Sequence, residues 1–198
     1  MTEHLKAVLK KIKDDPRYAE GVQYGKPRRG HQEGSVAAHI KDLEANVEKL
    51  QAGKFLSEEE YWKLMILVHV HDTMKYASKK NAPIEDVDSH ASMARAFLNG
   101  YTVDRRMLNI VQYHDIGYSL SQSFREKGRY NGERLRTAVF SISQEYLKLF
   151  LLFVIVDGYT PSKEQENVRW FIEEVQKNFI SDCSGYDLVN RAMLHFGL

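Results

Sequence analysis

The 198 residues carry 43% hydrophobic and 28% charged side chains, which excludes a disordered chain and supplies enough apolar material for one good core. A formal net charge of +1 excludes a large nucleic-acid-binding surface, so any phosphate recognition must be local. Cys183 is the only cysteine, which excludes an intramolecular disulfide and a thiolate zinc cluster within one chain, and fits a reducing cytoplasm.

The opening residues, Met1 to Lys6, lack the apolar core of a secretion signal. An amphipathic helix is expected over residues 5–13, stopping before Pro16, followed by a Gly-rich basic loop over 21–34 that contains Lys26, Arg28 and Arg29. A helix over 35–51 carries His39. Ser57 and Glu60 have the spacing of a capping box and launch a helix over 61–75, with His71 and Asp72 in its last turns. After Pro83, the acidic run from Glu85 to Asp88 suits the positive end of a helix dipole and predicts a helix to Asn99-Gly100, with His90 in its first turns. Thr102 is the expected cap of a helix that carries Met107, Ile110, Val111 and His114 and stops near Gly117. A polar, basic loop is expected over 119–132, then one long helical region ending at Asp157-Gly158. Its most apolar part, Leu147 to Val156, is too short to span a bilayer, contains Lys148 and reads as core. Ser162 and Gln165 repeat the capping-box spacing ahead of a helix through Phe179, and an amphipathic helix over 187–196 closes the chain. With no period-2 strands and no internal repeat, the expected fold class is all-α.

His71-Asp72 is the centre of the chemical pattern, with His39 upstream and His90, His114-Asp115 and Asp157 downstream, each near a helix end. Mixed nitrogen and carboxylate donors suit a divalent metal, and no single helix offers enough of them, so they must converge from several helices. Adjacent helical residues point about 100° apart, which lets His71 serve one ion while Asp72, with two carboxylate oxygens, bridges to a second. His39 and Asp157 complete the first site. His90 and His114 supply the second, which Asp115 could join, with the two ions about 3.5–4 Å apart as in phosphoester hydrolysis.

These residues resemble the HD-domain superfamily of metal-dependent phosphohydrolases: His39, His71-Asp72 and Asp157 fall in the order of its four metal-binding motif residues, over residues 30–160. His71-Asp72-Thr73-Met74-Lys75 is similar to the His-Asp-x-x-Lys variant, and His90 and His114 resemble the extra histidines of two-metal members. The resemblance implies a single HD-domain-like helical bundle spanning 1–198, with an N-terminal helix and basic loop over 1–29 and C-terminal helices over 161–198. Met74-Lys75-Tyr76 replaces the acidic pair of members that hydrolyse the guanosine alarmone, and Gly117-Tyr118-Ser119 lacks the proline of the cyclic-dinucleotide members, so neither substrate is expected.

The expected activity is hydrolysis of a small phosphoester, a nucleotide or related metabolite, by water activated on one or two divalent ions drawn from Mn, Fe, Mg, Ni, Co and Zn. Asp72, Lys75 and Asp115 are the candidate catalytic residues: Lys75 as a phosphate contact, Asp115 as a proton acceptor or the group orienting His114. A solvated helix end is the competing reading for Lys75 and Asp115. His4, His69 and His195 read as structural, His31 as a loop residue bonded to a helix start, and Arg28 and Arg29 as a solvated face. Arg125, Lys127 and Arg129 are further loop cations placed to grip a phosphate. A small phosphorylated substrate, no membrane and a homo-oligomer complete the expectations. The alternatives are a non-catalytic nucleotide-binding sensor on the same fold and a two-iron oxygenase.

Overall fold

A computed structural model describes residues 2–27, 32, 34–161, 163–179 and 187–198, and among these residues the chain is all-α with no strand. The helices are α1 (Thr2–Lys13), α2 (Pro16–Val22), α3 (Val36–Ala52), α4 (Glu58–Val70), α5 (His90–Asn99), α6 (Arg105–Tyr113), α7 (Ile116–Lys127), α8 (Gly132–Ile142), α9 (Gln144–Gly158), α10 (Gln165–Phe179) and α11 (Asp187–Phe196). A single 3₁₀ turn, Thr73–Tyr76, follows α4. Arg28, Arg29, His31, Ser162 and Cys183 lie outside the described residues.

Short polar side chains set most of the starts. Ser35 and Ser89 accept from the backbone two or three residues into α3 and α5, and Ser57 and Glu60 form the expected capping box on α4. Several boundaries differ from expectation. Pro16 opens α2 instead of only ending α1, because proline's missing N–H costs nothing at a first helical position and Asp15 caps the turn. Helix α4 ends at Val70, so His71 is its C-cap and Asp72 leads into the 3₁₀ turn. The acidic run from Glu85 lies outside α5, which begins at His90 on the Ser89 cap. Thr102 accepts from Asp104 N, while Asp104 itself caps α6. The stretch expected as a basic loop over 119–132 is mostly the helix α7, so Arg125 and Lys127 are helical.

The expected long helix before Asp157 is two helices, α8 and α9, bent by 112°. Ser143 makes the break with φ 73°, a left-handed backbone that no α-helix passes through. Among the described residues no single helix is long and apolar enough to cross a membrane.

The buried apolar side chains form one cluster drawn from nearly every helix. Two helices run through its middle. In α4 every residue from Leu64 to Val70 is buried, and α9 is apolar almost all round, with Leu147 and Leu149 to Phe153 buried. Helix α9 packs against α3, α4, α6, α8, α10 and α11. Neither of these helices can slide without opening the core, and each carries chemistry at its C-terminal end: His71 and Asp72 after α4, Asp157 at the close of α9.

Candidate metal centre

Five helices bring the six expected ligand residues together. His39 sits in the first turn of α3, His71 caps α4, His90 is the first residue of α5, His114 caps α6 and Asp157 lies at the end of α9. Three of the five helices present C-terminal ends, whose partial negative charge favours a cation. Buried Asn46 of α3 holds the end of α9 in place by donating from Nδ2 to the Val156 carbonyl at 3.0 Å and the Tyr159 carbonyl at 2.6 Å. That satisfies carbonyls the helix leaves without intrahelical partners, and it fixes Asp157 between them.

The donors fall into two triads, each with its ligating atoms within 4.8 Å of one another: His39, His71 and Asp157, all buried, and Asp72, His90 and His114, of which His90 is half-buried. In the first, His39 Nε2 is 3.0 Å and His71 Nε2 3.6 Å from Asp157 Oδ1. In the second, His90 Nε2 and His114 Nε2 stand 3.2 Å apart, at 3.8 and 3.6 Å from Asp72 Oδ1. Asp72 joins the two, because its other oxygen, Oδ2, is 3.5 Å from His71 Nε2. Asp115 flanks the second triad, with Oδ2 3.1 Å from His90 Nε2 and 3.6 Å from His114 Nε2.

The histidine protons are oriented by the ends of their own helices. His71 Nδ1 lies 3.0 Å from the Val68 carbonyl, and His114 Nδ1 2.7 Å from the Val111 carbonyl. A carbonyl only accepts, so each Nδ1 carries a proton and donates it, which in the neutral ring leaves the Nε2 lone pair aimed at the carboxylates. His71 Nε2 and Asp72 Oδ1 are buried with no hydrogen-bond partner. Buried polar atoms are costly to leave that way, and one such lone pair in each triad suits a cation there. The residues present therefore fit one or two divalent ions.

Electrostatics divides the triads. Burial pushes the His71 imidazole down, against the pull of Asp72 and Asp157, so it stays neutral. Burial also works against charge on His114, but the neighbouring Asp115 and Asp72 carboxylates override it and hold His114 up at about 9. Asp72 and Asp157 pay for burial yet remain well below the usual carboxylate range, Asp72 through Lys75 and the His71 ring, Asp157 through Lys163 and the His39 ring. Two ammonium groups thus lie on the ligand carboxylates: Lys75 Nζ on Asp72 Oδ2, and Lys163 Nζ 2.7 Å from Asp157 Oδ1.

The raised His114 gives a stability signature in metal-free protein. A histidine higher folded than unfolded contributes stability that is complete below about pH 6.5, its unfolded value, and is lost as pH rises through about 9. The melting temperature of chelator-treated protein is expected to fall across that window, and His114→Gln to flatten the fall. An equal slope in both proteins would remove His114 as its source.

No protein family, curated protein or solved structure matches this chain.

Among its described residues the protein is all-helical, with two His/Asp clusters able to hold metal. A cavity of about 500 Å³ opens beside the clusters, walled by Val154, Val168 and Phe171 and by the polar side chains of Tyr118, Gln122 and Asn167, and also lined by Asp72, Lys75 and Lys163. Glycines let α10 close this wall: a Cβ on Gly158 would lie 2.1 Å from Val168 Cγ2, and one on Gly117 2.8 Å from Phe171 Cγ. A second cavity of about 510 Å³ is bounded by Gln23, Tyr24, Ser35 and His39, and also reaches Asp72 and Lys75.

Sequence reasoning missed Lys163 and Asn46. Lys163 follows Asp157 by six residues on an irregular connection with no period to mark it. Asn46 is a polar residue on the buried face of α3, and its place in an otherwise apolar stripe was the available signal. Arg125, Lys127 and Arg129 border neither cavity, and Arg125 pairs with Glu164. His69 is a satisfied structural histidine: Tyr18 Oη donates to its Nδ1 at 2.7 Å, its Nε2 meets Glu44 Oε1 at 3.0 Å, and burial pushes it down to about 3. His195 packs tilted against Phe55 and edgewise on Phe196.

Proposed function

We propose that this protein is a metal-dependent phosphohydrolase of HD-domain type that cleaves a small phosphoester, a nucleotide or related metabolite. The observation that carries the reading is Asp72, whose two oxygens face the histidines of two adjacent triads. Four imidazoles beside three carboxylates favour manganese, iron, cobalt, nickel or zinc over magnesium, which prefers oxygen donors.

Divalent ions in these triads supply Lewis acidity, lowering the pKa of water toward about 7 and polarising a phosphoryl oxygen. The chain's residues do the rest. The Val68 and Val111 carbonyls keep His71 and His114 in the ligating tautomer. Asp115, at the partly open edge of the second triad, is placed to take a proton from the attacking water. Lys75, on Asp72 and lining the cavity, offsets charge that builds on the phosphoryl oxygens. The apolar wall of Val154, Val168 and Phe171 seats the rest of the ester and keeps bulk water away.

The same six-ligand arrangement favours a second reading, a two-iron oxygenase, since paired His-rich sites also suit iron. Counting ions per chain by elemental analysis and assaying the loaded protein separates the readings. The expected result is two ions and turnover of p-nitrophenyl phosphate or a nucleotide, lost in His71→Ala. Oxygen uptake by the reduced, iron-loaded protein without phosphoester turnover would move the assignment to an oxygenase. Thermal stabilisation by a nucleotide, with no turnover across monoesters, diesters and nucleotides, would make it a sensor.

A further inference from the structure

We propose that Lys163 is a substrate-binding residue which, with Lys75, grips a doubly charged terminal phosphoryl group, so that the centre takes phosphomonoesters in preference to phosphodiesters. This rests on the phosphohydrolase reading and names the substrate class for that site.

The two lysines reach the centre from different elements, Lys75 from the 3₁₀ turn after α4 and Lys163 from the connection between α9 and α10, and both line the 500 Å³ cavity. Each ammonium touches the carboxylate oxygen that an ion in the first triad would also use: Lys163 on Asp157 Oδ1, shared with His39 and His71, and Lys75 on Asp72 Oδ2, which faces His71. An ion bound there competes for those lone pairs. An ammonium has three N–H donors on a flexible stem, so losing part of its hold on a carboxylate turns it toward the cavity.

The charge balance then calls for an anion. Asp72, Asp115 and Asp157 bring three negative charges, and the two lysines with even one divalent ion outweigh them; a second ion widens the excess. Glu164, the other acid on the cavity wall, is held by Arg125. A phosphomonoester carries close to two negative charges at neutral pH and three free oxygens, enough to meet two ammonium groups and an ion at once. A diester offers one charge and two free oxygens, and would leave one ammonium at the cavity without an anionic partner.

The competing account is that Lys163 only holds Asp157 in position. Calorimetric titration of the metal-loaded protein with inorganic phosphate and with dimethyl phosphate at pH 8 tests it, alongside ion counts and turnover of mono- and bis-p-nitrophenyl phosphate. Lys163→Ala is expected to keep its ions yet bind phosphate about 10-fold more weakly or worse, the fold-change of losing one charge-assisted hydrogen bond, with KM for the monoester rising in step. Lys163→Arg, which keeps the charge, should recover most of the binding. Unchanged phosphate affinity in Lys163→Ala would overturn the proposal, and so would loss of its ions. Equal affinity of the wild type for dimethyl phosphate, or preferred turnover of the diester, would overturn the substrate class while leaving a phosphohydrolase in place. Wild-type protein that holds its ions but neither binds phosphate nor hydrolyses either ester would overturn the functional reading itself.

Discussion

Asp72→Ala is expected to abolish pairing of the two candidate ion sites: at most one ion per chain remains, and, on the phosphohydrolase reading, phosphoester turnover falls by more than the roughly 10–100-fold that changes outside the ligand sphere cost. The reason is topological. Every other ligand faces one triad, whereas Asp72 presents Oδ2 to His71 and Oδ1 to His90 and His114. Asp115→Asn provides the contrast. That side chain flanks only the second triad and is about a third exposed, so the variant should hold its ions and lose activity within the 10–100-fold range. Elemental analysis beside single-substrate kinetics reads both. An Asp72→Ala protein that still carries two ions would mean that the triads are independent and that the bridge is an accident of spacing.

The second large effect lies behind the centre. Phe153 is 1% exposed in the middle of α9, its ring edge-on to His71 at 5.4 Å between centroids. Phe153→Ala should destabilise metal-free protein by about 3–5 kcal/mol, the usual cost of emptying a phenylalanine site in a close-packed core. It should also weaken metal binding, because the ring that backs the His71 imidazole is gone and a ligand free to rock loses affinity. Phe153→Leu, which fills much of the volume, should cost less than about 1.5 kcal/mol and keep both ions. Urea denaturation of the metal-free variants separates the two effects, since stability there contains no metal contribution. A loss under about 1 kcal/mol for Phe153→Ala would show that the surrounding helices collapse into the space, and that His71 has its support elsewhere.

The all-α class and the membership of both triads were legible in the sequence, and for the same reason. His71, Asp72 and Asp157 stand where two strongly apolar runs stop, and a polar ligand-type residue at the end of a buried helix must be satisfied by something. What was not legible depends on packing. Helix α7 reads as a loop because Gly117, Ser119, Ser121 and Ser123 have weak helix preference, yet Ile116 and Leu120 are buried and Gly117 admits the Phe171 ring from α10. The break at Ser143 lies inside what reads as one apolar helix, and nothing in a serine announces a left-handed backbone. Lys163 has no periodic context at all. Its role comes from the fold of the α9–α10 connection back over Asp157, which is a tertiary fact.

Asp72 and Lys75 border both cavities, one walled by α7, α9 and α10, the other by residues 23–27 and the start of α3. The Asp72 carboxylate is therefore a partition between two chambers as well as a candidate ligand. Displacement at phosphorus asks the arriving and departing oxygens to stand roughly in line across the reacting atom. On the phosphohydrolase reading, two cavities meeting at one carboxylate would let these opposite demands be met from opposite sides, the ester in the chamber beside Phe171 and the water from the side of Tyr24 and Ser35.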